Sequence, residues 1–170
     1  MPRIGFGVYK IHPSRCEAAC LAALDVGYRH LDAAQLYRSE SQVASAVARS
    51  GVPRADIFLT TKIKTWRGGS GEELHRSLLE SVRKLGGEGE DAYVDLFLVH
   101  TPWFKSGGAR REVWLALERL KEEGRARAIG VSNYGIQHLE EMRDYMASWP
   151  PSVNQIEVSI TLRAQANLDL

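Results

Sequence analysis

The chain has 170 residues, 44% of them hydrophobic and 25% charged, enough to bury one ordinary core, and it predicts one globular unit. Lys and Arg number 22 against 21 Asp and Glu, a formal net charge of +1, so nucleic acid and anionic membrane surfaces find no electrostatic footprint. The stretch Met1 to Gly7 lacks the apolar segment and small-residue cleavage site of a secretory signal, and no later apolar run reaches membrane-spanning length; the expectation is a cytoplasmic protein without membrane contact.

A first apolar, β-branched run covers residues 4–9 and holds Gly5 and Gly7 inside it. Residues 14–26 follow as an amphipathic helix with Cys16, Ala19, Cys20, Ala23 and Leu24 on one face, opened by a Ser14-x-x-Glu17 capping box. Cys16 and Cys20 leave that helix in parallel directions, a poor geometry for bridging, and are expected as small core residues. The second strand, residues 28–33, delivers Asp32 and then Tyr37 just past the point where pairing should stop. Ser39-x-x-Gln42 opens a second helix that buries Val43, Ala46 and Val47 and stops at Gly51, with Pro53 beyond.

Strand three covers residues 57–63. Ser70-x-x-Glu73 opens the third helix, whose stripe is Leu74, Leu78, Val82 and Leu85 and whose end is Gly86-Gly87. Strand four is predicted over 94–100, a helix with Val113, Ala116, Leu117 and Leu120 up to Gly124, and strand five over 127–132. A fifth helix groups Ile136, Leu139 and Met142 and ends before Pro150-Pro151; strand six covers 153–158.

Six strands thus alternate with five helices at a spacing of roughly thirty residues, long enough for right-handed crossovers between parallel strands. An open doubly wound sheet and part of a (β/α)8 barrel both accept this order. The dinucleotide fingerprint Gly-x-Gly-x-x-Gly should fall between strand one and its helix, but Ile4-Gly5-Phe6-Gly7-Val8-Tyr9 puts its glycines within the strand. The α/β class is therefore read as a partial (β/α)8 barrel.

Polar groups close the strands. Asp32 ends strand two with Tyr37 beyond it, Lys62 ends strand three, His100 strand four and Ser132-Asn133 strand five, while strand six carries Asn154, Gln155 and Glu157. Singly, Asp32 is a turn former, Lys62 a rim lysine, His100 a satisfied core histidine and Ser132-Asn133 a helix cap. In a parallel barrel, however, all C-terminal strand ends share one face, where such enzymes build their sites. A lysine near a tyrosine stabilises phenolate and lowers the tyrosine's pKa, a carboxylate keeps that lysine charged, and a histidine alongside can orient a carbonyl oxygen. Tyr37 is expected as a proton donor near neutral pH.

At these residues the chain resembles the aldo-keto reductase family. Gly-Phe-Gly-Val-Tyr-Lys in strand one, Gly27-Tyr-Arg-His-Leu-Asp-Ala-Ala-x-x-Tyr37, Leu59-Thr-Thr-Lys62, Val94-Asp-Leu-Phe-Leu-Val-His100, Ile129-Gly-Val-Ser-Asn133 and Val153-Asn-Gln-Ile-Glu157 match its motifs in order. The resemblance implies a catalytic tetrad of Asp32, Tyr37, Lys62 and His100, with Tyr37 the general acid. It implies hydride transfer to an aldehyde or ketone from a nicotinamide cofactor, usually NADPH, with NADH the alternative. Ser132, Asn133 and Gln155 would hold the nicotinamide carboxamide, Asp32 would also touch the cofactor ribose, and Tyr9, Trp66 and Trp103 would line the substrate pocket.

Against the family's pattern, nothing here corresponds to its seventh and eighth strands, its nicotinamide-stacking aromatic or its basic loop for the adenosine phosphate. A (β/α)8 domain takes about 250 residues, so roughly eighty have no counterpart. Residues 1–159 are expected as the barrel domain and 160–170 as a divergent tail. An impaired or inactive reductase follows from this, as does self-association through unclosed sheet edges. Two other functions compete: a non-catalytic accessory protein derived from such a reductase, and a metal-dependent hydrolase using His30, Asp32, Lys62 and His100, which lacks the usual His-x-His pair.

Overall fold

The computed structural model describes residues 1–104, 107–147 and 149–158; the expected tail at 160–170 lies outside them. Six parallel strands hydrogen-bond in chain order: β1 (Phe6–Gly7), β2 (His30–Asp32), β3 (Phe58–Ile63), β4 (Val94–Val99), β5 (Ala126–Ser132) and β6 (Asn154–Gln155). Between them run α1 (Pro13–Asp25), α2 (Glu40–Arg49), α3 (Gly71–Gly86), α4 (Gly107–Glu122) and α5 (Ile136–Met142). The strands form a curled half-barrel of the (β/α)8 type. β1 and β6 are far shorter than the apolar runs at 4–9 and 153–158, and among the described residues each pairs on one side only.

Register sorts the side chains onto two faces. Gly7 pairs with Asp32, Asp32 with Thr60, Lys62 with Leu98, Leu98 with Gly130, and Ser132 with Gln155. Side chains alternate along a strand with period two, so these residues, with His30, Thr60 and His100, share the concave face. The convex face carries Leu31, Leu59, Ile63, Phe97, Val99, Ile129 and Val131. These pack against Cys16, Cys20 and Leu24 of α1, Val43 and Ala46 of α2, the Leu74, Leu78, Val82 and Leu85 stripe of α3, and Val113, Leu117 and Leu120 of α4. The core thus lies between sheet and helices, and the concave face is left for polar groups. The lumen is narrow where β5 meets β6: a Cβ on Gly130 would stand 2.5 Å from the Val153 carbonyl oxygen.

The helix termini divide the sequence reading. At α3 the Ser70 hydroxyl accepts from Glu73 N at 3.2 Å and Ser70 N donates to Glu73 Oε2 at 2.8 Å, the box predicted there. At α1 the helix begins one residue earlier, at Pro13, and the His12 ring accepts from Ser14 N at 3.3 Å, so Ser14 is not the cap. Ser39 precedes α2 without a side-chain capping bond; its hydroxyl is buried against the Cys16 thiol. At α1 the exposed Ser14 hydroxyl is bonded to the neighbouring His12 ring at 2.8 Å, whereas buried Ser39 is oriented by its packing, and exposed Ser70 answers only to the helix end. Cys16 and Cys20 are buried and unbridged. Beyond α1, Tyr28 N donates to Ala23 O at 2.9 Å and Gly27 N to Leu24 O at 3.1 Å, a turn whose φ of 100° at Gly27 aims the chain into β2.

Candidate active site

Each side chain is set by its strand. Asp32 closes β2, and Lys62 stands on neighbouring β3 one pleat beyond Asp32's partner Thr60, so the ammonium reaches back over the strand end. Lys62 Nζ pairs with Asp32 Oδ1 and donates to Ala33 O at 3.0 Å, and its side chain is 2% exposed. The short helical turn Gln35–Tyr37 then swings Tyr37 back over this pair, and a left-handed Arg38, φ 56°, ends the turn. Lys62 Nζ lies 5.3 Å from the centre of the Tyr37 ring. His100, just past β4, meets the Tyr37 hydroxyl with Nε2 at 3.4 Å, its ring edge-on to the phenol. The structure therefore brings Asp32, Tyr37, Lys62 and His100 together at the C-terminal strand ends.

The electrostatics differ from the expectation in one respect. Tyr37 is pushed up to about 12, first by burial and then by the negative charge of Asp32, not lowered by Lys62. The physical reason is the ion pair itself: an ammonium neutralised by a carboxylate offers the phenol little net positive field. Burial also lowers Lys62 against the opposing pull of Asp32, and brings His100 down to about 4, helped by the Lys62 and Lys64 charges. At neutral pH the phenol holds its proton and the imidazole is neutral.

A titration checks this. Among the six tyrosines, burial raises Tyr37, Tyr134 and Tyr145, with Tyr37 and Tyr145 at about 12. Alkaline titration of phenolate absorbance is expected to show a late-ionising group, and Tyr37→Phe to remove part of that late amplitude. An unchanged late amplitude in Tyr37→Phe would contradict the assignment.

On β5 and β6, Ser132 Oγ donates to Gln155 O at 2.7 Å, and the Asn133 amide, on a backbone with φ 60°, donates to His100 O at 3.1 Å and to Ser132 Oγ at 3.0 Å. Gln155 Nε2 reaches across the lumen to Asp32 Oδ2 at 2.8 Å. Ser132, Asn133 and Gln155 thus line the same mouth. Asn154 instead faces Tyr134, accepting from its N–H at 3.3 Å and donating to its carbonyl at 2.9 Å, and Glu157 is exposed. Of the three aromatics, Tyr9 packs against Tyr37 at 5.1 Å between ring centres. Trp66 follows β3 and donates from Nε1 to Glu112 at 3.2 Å, and Trp103 follows His100 with 73% of its surface exposed. His30 turns away from Asp32 to Thr60, at 2.9 Å. Among the described residues no three His, Cys, Asp or Glu side chains form a group that could hold a metal ion, and no helix is long and apolar enough to cross a membrane.

Two buried carboxylates were not singled out by sequence. Glu40 accepts from Thr61 Oγ1 at 2.5 Å and Ser81 Oγ at 3.1 Å, tying α2 and α3 to the residue before Lys62, and burial raises its pKa. Its place in a first helical turn resembles ordinary dipole pairing, so no local signal marked it. Asp95, at the opposite end of the sheet, accepts from Leu59 N and Arg54 at 2.9 Å each and from Arg127 at 3.3 Å, and both guanidiniums lie 4.1 Å from the Tyr93 ring centre. That network closes the barrel floor, where stability rather than chemistry is served.

A curled parallel sheet thus carries a lysine–carboxylate pair, a tyrosine and a histidine at its strand mouths, the face where parallel barrels build their sites. Comparison with known proteins makes this specific: the sequence model of the Aldo/keto reductase family matches residues 3–169. An aldo-keto reductase of Mycolicibacterium vanbaalenii is 42% identical over 158 residues, covering 93% of this chain and 54% of that protein. A 9,11-endoperoxide prostaglandin H2 reductase of Trypanosoma cruzi is 38% identical over 93% of this chain and 53% of its own length. Among solved structures, an aldo/keto reductase from Brucella melitensis superposes with a TM-score of 0.82 at 41% identity, covering 93% of this chain and 59% of that one. A Bombyx mori aldo-keto reductase in complex with NADP has a TM-score of 0.78 at 30% identity, covering 93% and 55%. The chain belongs to the aldo-keto reductase family, and it spans about half the length of the curated relatives it matches.

Proposed function

We propose that this chain is the nicotinamide-facing part of an NADPH-dependent carbonyl reductase, acting on aldehydes or ketones through Tyr37, Lys62, Asp32 and His100. The observation behind this reading is the buried Lys62–Asp32 pair beneath Tyr37, with His100 on the hydroxyl. A reduced nicotinamide supplies the hydride. Ser132, Asn133 and Gln155 suit its carboxamide, because hydroxyl and amide groups from adjacent strand ends offer donors and acceptors on one wall. The Bombyx mori relative with NADP supports the choice of cofactor.

The proton work belongs to this chain. A substrate oxygen placed between Tyr37 and His100 gains negative charge as its carbon is reduced. Neutral His100 holds that oxygen by a hydrogen bond, and Tyr37 gives up its proton to it. A pKa of about 12 does not oppose this step, since an alkoxide is a stronger base than a phenolate, and it keeps the acid loaded throughout the neutral range. Lys62 Nζ lies 5.3 Å from the centre of the Tyr37 ring, and Asp32 keeps Lys62 charged against its own burial.

These 170 residues alone are expected to bind NADPH weakly and to reduce ordinary aldehydes negligibly. The residues named above address the nicotinamide end, while charge-assisted bonds to a phosphate are worth about 1.5–3 kcal/mol each. Two or three fewer such bonds weaken binding by about two to six orders of magnitude, at about 1.4 kcal/mol per tenfold. Titration with NADPH, followed by tryptophan quenching, checks this; saturable low-micromolar binding by a monodisperse monomer would refute the expected weakness.

A further inference from the structure

We infer that Glu40 is a positioning residue for Tyr37: through the Thr61 hydroxyl its carboxylate ties the turn that carries the phenol to the strand that carries Lys62, and so sets the proton donor over the ammonium. The inference rests on the reductase reading of the site. The polar contacts of Tyr37 are long. Its hydroxyl meets His100 at 3.4 Å, at the far end of hydrogen bonding, and its ring centre stands 5.3 Å from Lys62 Nζ. The place of the phenol therefore depends on its backbone, the short turn Gln35–Tyr37 and the left-handed Arg38 that ends it. Glu40 follows two residues after Arg38 and opens α2.

An acidic residue in a first helical turn ordinarily serves the free N–H groups of its own helix from the solvent side. Glu40 turns inward instead. It is 6% exposed, and its carboxylate accepts from Thr61 Oγ1 at 2.5 Å and from Ser81 Oγ of α3 at 3.1 Å. Burial raises its pKa, and those two bonds act against the rise. Thr61 is a fixed point, because β3 is hydrogen-bonded to β2 on one side and to β4 on the other. Side chains alternate along the strand, so Thr61 faces the helices while Lys62, one residue on, faces the lumen. The other end of the turn is tied as well: Gln35 Nε2 donates to Ser77 O at 3.4 Å, one helical turn before Ser81 on α3. The segment from Gln35 to Glu40, with Tyr37 inside it, is thus held at both ends, and the Glu40 end reaches the strand that holds Lys62.

The chain, labelled with 13C in the rings of its six tyrosines, tests this by NMR without any turnover, and Tyr37→Phe identifies the Tyr37 signal. Glu40→Ala and Thr61→Val are each expected to shift that signal at neutral pH. Each is also expected to raise the ionisation constant of Tyr37 about tenfold, because a slackened turn admits water to a phenol held at about 12 and brings it toward the ordinary tyrosine value of about 10. Glu40→Gln, whose amide oxygen still accepts from Thr61, and Thr61→Ser, which keeps the hydroxyl, are expected to stay near the parent. Thr61→Val changes no charge and little volume, so the tether remains readable if Glu40→Ala fails to fold. The Tyr134 ring, buried beside His138 of α5, reports that each variant is folded. A Tyr37 signal unmoved in both Glu40→Ala and Thr61→Val overturns the positioning and leaves the reductase reading standing. Equal movement in Glu40→Gln and Glu40→Ala, with none in Thr61→Val, makes the effect one of charge and overturns it too. Normal turnover by Tyr37→Phe in a completed barrel overturns the reductase reading instead, and with it any part of Glu40 in the reaction.

Discussion

Tyr37→Phe is expected to lower carbonyl reduction by about two to four orders of magnitude, the usual worth of a positioned general acid, while leaving cofactor binding nearly intact. The assay belongs in a chain whose barrel is completed by the remaining part of a relative such as the Mycolicibacterium vanbaalenii protein, 42% identical over the shared portion. The separation of effects follows from geometry: the Tyr37 hydroxyl meets His100, whereas Ser132, Asn133 and Gln155 form their own bonded set across the mouth. Phenylalanine keeps the ring that packs on Tyr9, so the loss reports the proton. The pH profile adds a second check. Tyr37 at about 12 and His100 at about 4 both lie outside the neutral range, so neither should produce a break there. Near-normal turnover by Tyr37→Phe would remove Tyr37 from the role of acid.

Lys62→Met is expected to abolish reduction and also to destabilise the fold by about 3–5 kcal/mol, because it leaves one member of a buried ion pair without its partner. Asp32 would keep only the Gln155 amide, and the Ala33 carbonyl would lose its Lys62 donor. The sign with pH is fixed by the direction of the shift. Burial depresses Lys62, so folding favours its neutral form, and the stability of the parent chain falls as pH drops from the unfolded lysine pKa toward the folded one, reaching its plateau below it. Urea unfolding at about pH 7 and in the alkaline range near pH 10 measures both effects, the second as a slope lost in the variant. The double variant Asp32→Asn with Lys62→Met should recover much of the stability but none of the activity. A Lys62→Met chain as stable as its parent would show that the pair is dispensable to the fold.

What the sequence determined by itself was the part governed by local periodicity and by position along a strand. Alternating β and α segments, the α3 stripe with its Ser70–Glu73 box, and the arrival of Asp32, Lys62, His100 and Ser132 at strand ends are all readable along one dimension. In a parallel sheet every such end falls on the same side, which is why the convergence of these residues was legible along the sequence. The caps at His12 and Ser39 were not, because the His12 ring takes the place of Ser14 at one helix start and Ser39 is turned into the core at the other. Equally hidden were contacts made across the lumen or between layers: Gln155 on Asp32, Glu40 on Thr61 and Ser81, and Glu112 of α4 on Trp66. Those depend on the curvature of the sheet and the distance to a neighbouring helix, and no spacing along the chain records either. The rise of Tyr37 to about 12 is of the same kind, since the field at a phenol depends on how deeply it is buried and on whether the nearby ammonium is already neutralised, and only the folded arrangement decides both.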